Sequence, residues 1–344
     1  MRVFRVVFAA LLLALLLPGA AGAYPWPFKP FDRQHPIRGF FGDPRTVYYN
    51  GILASPFAAG GVFSFHQGVD ISARNGTPVY AVADGTAHYL GSQTLNLTTK
   101  GGVIFQYFHI VAVVGEGEVV RARRTVLGYV QPPFGHVHIT EIDVNHAVNP
   151  LQRGHLTPFR DRTNPKVRTI EISNQSGVVQ TPLGLCGRVQ LAADAYDTPP
   201  VAVPGSFRGL PIAPAFVRWK LTRLRGRVVV PWQVTADFRH TVPPNGSFWN
   251  VYAHGTYENA PRFGKEQYGS MPGRYLFLLA ASYDTTSIAN GVYTLAVQAV
   301  DMRGNTGVAS ERISVLNAHG GQCPGSLPLP PGAPPPPPEP PRTR

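Results

Sequence analysis

The chain has 344 residues, a formal net charge of +12 at pH 7 and 44% hydrophobic residues, a size that suits two domains. Its basic residues are scattered and form no nucleic-acid recognition module, so we predict no nucleic-acid partner and instead attraction to anionic surfaces. Helix-period stretches are nearly absent, and we therefore expect an all-β protein.

The N-terminus is typical of a secretory signal peptide. Arg2 and Arg5 precede an apolar run over residues 6–17, and residues 21–23 form a small-residue cleavage site. The run is too short to span the ~30 Å hydrocarbon core, so a membrane anchor is the weaker alternative. We predict a signal peptide over residues 1–23 and no transmembrane segment. The mature chain is then secreted or attached to the cell wall, or periplasmic if the source is Gram-negative.

Strand and turn signals divide the rest of the chain. Short β-type segments alternate with glycine turns over residues 24–160, and a turn-rich linker follows at residues 161–165. Clean period-2 segments, of which residues 217–223 are a clear case, predict a β-sandwich over residues 166–323. The proline-rich residues 324–344 are typical of a polyproline II tail without a packed core.

Two cysteines, Cys186 and Cys323, lie far apart in the sequence. In an exported chain we predict one intrachain disulfide between them, and two reduced, buried thiols are the alternative. The sequence contains no C-x-x-C motif, so cysteine-based zinc or redox chemistry is not expected.

Two short histidine motifs contain candidate metal ligands. FHQGVDI places His66 and Asp70 four positions apart, and chance gives about a third of one such pair. FGHVHITEI places His136 and His138 two positions apart, which in a strand puts both imidazoles on one face. A further histidine, His109, lies between the two motifs in YFH. Each motif is weak by itself, and their joint occurrence is more informative.

The order of these motifs resembles that of the LytM/lysostaphin-type (M23) zinc endopeptidases, which cut peptide bonds in bacterial peptidoglycan. That family shows HxxxD, then GTPVYA with DGxV, then Y-x-H, then HxH. Here the motifs are His66–Asp70, GTPVYAVADGTA at residues 76–87, Tyr107–His109 and His136–His138. The resemblance covers roughly residues 35–160 and implies an antiparallel β peptidase domain.

The resemblance also implies roles for five residues. His66, Asp70 and His138 would bind one Zn²⁺ per chain, and His136 and His109 would be catalytic residues that are not ligands. Three protein ligands leave the fourth tetrahedral position to water, as in catalytic zinc sites. Zinc lowers the pKa of such a water to roughly 7. A nearby histidine can then transfer its proton, and the other can orient the water or stabilise the oxyanion.

The chain departs from the family pattern at two places near HxH. YVQPPFG, residues 129–135, replaces the usual run of small residues. Thr140 stands where a glutamate is usual, and Glu141 is displaced by one position. We expect both departures to alter the groove wall rather than the ligand set, and hence the substrate preference.

The second half carries no comparable cluster of ligands. Residues 291–317 resemble the last strands of bacterial immunoglobulin-like or fibronectin-like domains, so we expect an Ig-like β-sandwich. Because a fold does not fix a function, glycan or protein binding and a rigid spacer both stay open. Phe248, Trp249 and Tyr252 lie in a long loop, where they either stack on sugars or, more commonly, pack inward.

The sequence therefore predicts a secreted zinc-dependent endopeptidase that hydrolyses peptide bonds in peptidoglycan, in the stem peptide or the cross-bridge. Its partners would be peptidoglycan peptides or another cell-wall polymer. One alternative is a catalytically silent module of the same fold that binds the cell wall or activates another hydrolase. Another keeps the zinc but cleaves secreted proteins. Zinc content tests the first alternative, and the identity of the cleavage products tests the second.

Overall fold

The computed structural model describes residues 22–48, 61–91, 94–224, 226–259 and 272–317. The proline-rich tail, Cys323 and all but the last two residues of the predicted signal peptide lie outside these ranges. The pairing of Cys186 with Cys323 therefore stays a prediction, although Cys186 is not a free thiol. Among the described residues, no helix has the length and apolar character needed to cross a membrane.

The described chain is nearly all-β and its strand pairs are antiparallel, which confirms the predicted fold class. One α-helix of four residues occurs among the described residues, α1 (Phe248–Val251). The strands in chain order are β1 (Ile37–Gly39), β2 (Pro44–Tyr48), β3 (Gly61–Phe65), β4 (Val69–Ser72), β5 (Pro78–Tyr80), β6 (Gly85–Gly91), β7 (Thr94–Thr98), β8 (Ile104–Phe108), β9 (Ile110–Ala112), β10 (Val119–Val120), β11 (Val126–Val130), β12 (His136–Asp143), β13 (His146–Val148), β14 (Lys166–Asn174), β15 (Arg188–Tyr196), β16 (Phe216–Arg223), β17 (Val228–Asp237), β18 (Leu276–Asp284), β19 (Gly291–Val300) and β20 (Thr306–Val315).

The described residues fall into two compact units. The first unit contains the N-terminal segment up to His35 together with residues 73–159, and the second contains residues 36–72 together with those from Arg160 onward. Strands β1 to β4 therefore belong to the second unit. The domain bounds predicted from the sequence stay a prediction.

In the first unit, strands pair in the order β12-β8-β7-β6-β10, with β13 on β12, and a smaller sheet has the order β5-β11-β9. Strand β12 alternates as a sheet strand must. Val137, Ile139 and Glu141 are buried on one face, and Tyr107 of β8 is fully buried as well. His136, His138 and Thr140 share the opposite face. The strand thus presents its two histidines together, as the HxH motif predicts.

In the second unit, one sheet has the order β14-β15-β18 and another the order β17-β16-β19-β20. On β16, Val217, Trp219 and Leu221 are buried, and the residues between them are partly exposed, which confirms the predicted period-2 strand. Trp219 meets Tyr283 of β18 edge-on with 6.0 Å between ring centroids, so the two sheets face each other. Their assignment as an Ig-like domain stays a prediction.

Candidate metal centre

The three predicted metal ligands lie together. His66, Asp70 and His138 each offer one ligand atom, and these atoms are within 4.8 Å of one another. We call these three residues the ligand triad. His66 and Asp70 are buried, and His138 is partly buried. Two imidazoles and one carboxylate form a donor set that is typical of catalytic zinc.

The orientation of His66 is fixed by the turn that contains Phe40 and Asp43. The ring Nδ1 is 2.8 Å from the carbonyl oxygen of Phe40, which can only accept, so Nδ1 carries the proton. The backbone nitrogen of His66 also donates to the carbonyl oxygen of Asp43 at 2.9 Å. Nε2 is therefore the nitrogen that faces Asp70, at 3.2 Å from Oδ1. A carbonyl partner of this kind sets the tautomer of a ligating histidine.

Asp70 of β4 is held by an arginine that the sequence analysis did not single out. Arg45 Nη2 donates to Asp70 Oδ2 at 2.6 Å, which leaves Oδ1 on the side of His66. A Cβ on Gly39 would come within 2.5 Å of Oδ2 and 2.8 Å of Arg45 Nη2, so this close contact needs a glycine. Burial alone lowers the pKa of Arg45, but Asp70 and the neighbouring carboxylates raise it above its ordinary value, so the guanidinium stays charged.

His138 of β12 contacts the residue that replaces the usual glutamate. Its Nε2 is 2.8 Å from the Thr140 hydroxyl oxygen, two positions further along the same strand face. Its ring also meets Phe108 edge-on, at 5.1 Å between centroids. Thr140 therefore contacts a predicted ligand, and the expectation that the departure alters the groove wall rather than the ligand set stays a prediction.

The two predicted catalytic histidines lie next to each other in the first unit, with 4.6 Å between ring centroids. His109 has φ 63°, a backbone conformation that is uncommon for residues other than glycine. Phe134 stacks on His109 at 4.1 Å, and its carbonyl oxygen is 2.9 Å from His136 Nδ1. His136 thus carries its proton on Nδ1, and Nε2 is the nitrogen suited to accept another. Phe134 lies in the YVQPPFG departure and orients both rings.

The residues that the sequence analysis missed share no short motif with the ligands. Arg45 lies 25 positions before Asp70, and Glu258, whose Oε2 is 3.9 Å from Arg45 Nη1, lies far beyond it. Phe134 lies in YVQPPFG, the segment that departs from the family pattern, but nothing in this segment predicts a stacking role. The one visible signal was an aromatic residue two positions ahead of His136.

A second group of three acidic residues lies in the second unit and was not predicted. Asp161, Asp197 and Asp301 are all buried, and each has a carboxylate oxygen within 4.8 Å of the others. We call these residues the aspartate cluster. Burial raises the pKa of Asp197 to about 7, and burial also raises the pKa of Asp161. Folding therefore favours the protonated form of Asp197 and of Asp161 relative to the unfolded chain.

Residues 64–150 match the family model of Peptidase family M23. The match contains the ligand triad and both predicted catalytic histidines, and it confirms the resemblance that the sequence motifs carry. This segment is therefore similar to the M23 metallopeptidases. No curated protein matches the chain.

Several solved structures are similar to parts of the chain. One is the M23 metalloprotease pseudoalterin from the deep sea, at 18% identity over 45% of this chain and 84% of that chain, with a TM-score of 0.26. Another is LytU, at 24% identity over 36% of this chain and 86% of that chain, with a TM-score of 0.26. Lysostaphin is 13% identical over 78% of this chain and 89% of that chain, with a TM-score of 0.24. Superpositions this weak support no further conclusion.

Proposed function

We propose that the protein is a secreted zinc-dependent endopeptidase that hydrolyses peptide bonds in bacterial peptidoglycan. The observation that carries the proposal is the ligand triad, whose three donor atoms lie within 4.8 Å of one another inside the M23 segment. The signal-peptide pattern and the net charge of +12 support an exported protein that is attracted to anionic cell-wall polymers.

The residues of the ligand triad fit zinc. Each has a partner for the atom that does not face the metal: Phe40 for His66, Arg45 for Asp70 and Thr140 for His138. Outer partners of this kind orient ligands and fix tautomers in zinc sites. Zinc, when bound, supplies a Lewis acid and lowers the pKa of a bound water to roughly 7.

The two remaining histidines supply proton transfer. His136 Nε2 accepts a proton from the attacking water and returns it to the leaving amine, because Nδ1 is engaged by the Phe134 carbonyl. His109, 4.6 Å away between ring centroids, orients the water or donates to the developing oxyanion. The stacked ring of Phe134 keeps both imidazoles in place. General acid–base assistance of this kind contributes about 10²- to 10⁴-fold to the rate.

The test uses purified mature protein and a peptidoglycan suspension. We expect the wild type to clear the suspension, a chelator to stop clearing, and added Zn²⁺ to restore it. His138→Ala should clear nothing, because one of three ligands is gone. His146→Ala is the matched control, since His146 is an exposed histidine on the neighbouring strand β13, and it should behave as the wild type.

Two results would contradict the proposal. Clearing that survives His138→Ala would remove the metal centre from the mechanism. Binding of peptidoglycan without release of peptides would instead identify a silent wall-binding module. Mass spectrometry of the products on defined muropeptides names the cleaved bond, and cleavage of secreted proteins but not of muropeptides would replace the substrate class.

A further inference from the structure

Two of the three members of the ligand triad, His66 and Asp70, lie in the compact unit that also holds residues from Arg160 onward. The sequence predicts a separate Ig-like β-sandwich for that later part of the chain. Contacts within this unit connect both ligands to residues more than 140 positions further along the chain. They suggest a role for the second half of the chain in the metal centre itself.

The first connection runs through Asp43. This side chain is 1% exposed, and its two carboxylate oxygens accept from the backbone nitrogens of Phe40 at 2.8 Å and Ala213 at 2.7 Å. Carbonyl oxygens of the same turn, those of Phe40 and Asp43, accept hydrogen bonds from the ring Nδ1–H and the backbone N–H of His66. Ala213 therefore holds, through Asp43, the turn that sets the orientation of His66.

The second connection runs through Arg45, which donates to Asp70 Oδ2 at 2.6 Å. Glu258 lies on the other side of Arg45, at 3.9 Å. Glu258 is itself fixed on β2 by reciprocal bonds with Thr46, from Thr46 N to Oε1 at 3.2 Å and from Glu258 N to Thr46 Oγ1 at 3.0 Å. The guanidinium is thus placed between two carboxylates, one of which is a metal ligand.

Aromatic packing reinforces both connections. Phe65, which directly precedes His66, packs against Phe238, Phe248 and Tyr252 at centroid distances of 5.4–5.9 Å. The Tyr252 hydroxyl donates to the carbonyl oxygen of Gly42 at 2.7 Å. Phe248 and Tyr252 are fully buried. These two aromatics therefore pack inward against β3, which ends directly before the ligand His66, and they are not available to stack on sugars.

We infer that Asp43 and Arg45 are positioning residues of the metal centre, and that the second half of the chain holds them in place through Ala213 and Glu258. This inference rests on the proposed zinc site. Neither residue touches the reacting atoms; Arg45 fixes which oxygen of Asp70 faces the metal, and Asp43 fixes the turn that orients His66. The second half is then a part of the peptidase that zinc binding requires.

The test measures the zinc dissociation constant of the mature full chain by competition with a chromophoric chelator. Arg45→Met should raise this constant about 10- to 100-fold, the usual effect of losing an outer partner of a ligand. Arg45→Lys keeps the charge but loses the planar fork, so it should recover part of the affinity. Glu258→Gln should weaken zinc binding by up to about fivefold, because the ion pair with Arg45 is partly exposed.

Non-additive effects of the Glu258 and Arg45 substitutions on zinc affinity distinguish an action of Glu258 through Arg45 from a general loss of stability. Because Glu258 acts through Arg45, Glu258→Gln should have no further effect on zinc affinity once Arg45 is Met. Arg121→Met is the matched control: it breaks an exposed arginine–aspartate pair of 2.9 Å with Asp84 and should leave the zinc constant unchanged. Thermal unfolding of each variant without metal reports stability independently.

An Arg45→Met variant that binds zinc as the wild type does, even at reduced stability, would overturn the inference. If Arg45→Met does not fold, Arg45→Lys decides, and an unchanged zinc constant there would overturn it equally. A wild type that binds no zinc would instead defeat the proposed function. Zinc bound by the wild type, lost in His138→Ala and kept in Arg45→Met would defeat only the positioning role.

Discussion

The ligand triad and the aspartate cluster meet the same geometric condition, three ligating side chains within 4.8 Å, but their surroundings differ. In the triad, two of the three groups are imidazoles, which bind metals in their neutral form. Its one carboxylate, on Asp70, is paired with Arg45 at 2.6 Å. The aspartate cluster consists of three carboxylates, which accept hydrogen bonds from backbone, hydroxyl and amide groups.

Proximity alone therefore does not define a metal centre. The triad offers two imidazoles, which carry no charge in their metal-binding form, and one carboxylate that is paired with Arg45. In the aspartate cluster, burial and, to a smaller extent, the neighbouring carboxylates raise the pKa of Asp197 to about 7. Asn305 Nδ2 bonds to Asp301 Oδ2 at 2.5 Å and to the carbonyl oxygen of Asp161 at 3.2 Å, which ties the turn after β19 to the segment before β14. The aspartate cluster thus has a structural role in connecting these two segments.

The largest predicted difference is in zinc content. His66→Ala should reduce bound zinc from near one per chain to background and abolish hydrolysis, since two ligands do not hold the ion in a catalytic geometry. Asp301→Asn should leave zinc content and hydrolysis unchanged, because the aspartate cluster is not the zinc site. Elemental analysis and a peptidoglycan assay on both variants check this. Zinc lost from Asp301→Asn but kept in His66→Ala would reverse the comparison.

The triad could be predicted because two short local motifs occur in the order that the M23 family shows, and that resemblance implied the ligand set. Four positions separate His66 from Asp70 and two separate His136 from His138, and a strand of period 2 converts the second spacing into a shared face. The alternation of β16 was predictable for the same reason. Each of these patterns depends on spacing within a single local segment of the chain.

The supporting contacts could not be predicted, because they join distant segments through ordinary residue types. Arg45 and Glu258 are two charged residues among many, and only the folded chain brings them together. The turn chemistry of Asp161 was visible, and its Oδ1 indeed accepts from Thr163 N at 2.8 Å. Its proximity to Asp197 and Asp301 was not visible, since these three residues share no period and no motif.

The second-largest expected effect is a pH dependence of stability that arises from the aspartate cluster. Asp197 has a pKa of about 7 in the folded chain against an ordinary 3.8, so it contributes stability below about pH 4 that is lost as the pH rises through 7. Three pKa units correspond to an upper figure of about 4 kcal/mol. Asp197→Asn removes this dependence.

Urea unfolding between pH 4 and pH 8, with a chelator present so that no cation replaces the proton, checks this prediction. The difference in unfolding free energy between Asp197→Asn and the wild type should move in favour of the variant as the pH rises. The comparison with the wild type cancels other groups that titrate in this range, such as Asp43. A difference that is constant with pH would show that Asp197 is ionised throughout.

The smallest effect expected in this comparison of the triad with the aspartate cluster concerns Thr140, the neighbour at which the chain departs from the M23 sequence pattern. Thr140→Val keeps the shape but removes the hydroxyl 2.8 Å from His138 Nε2, so the zinc dissociation constant should rise about tenfold. Thr140→Ser keeps the hydroxyl and should stay near the wild-type value. If the valine and serine variants have the same zinc dissociation constant, Thr140 does not orient the His138 ring. Only His66 and Asp70 would then have outer partners that distinguish the triad from the aspartate cluster.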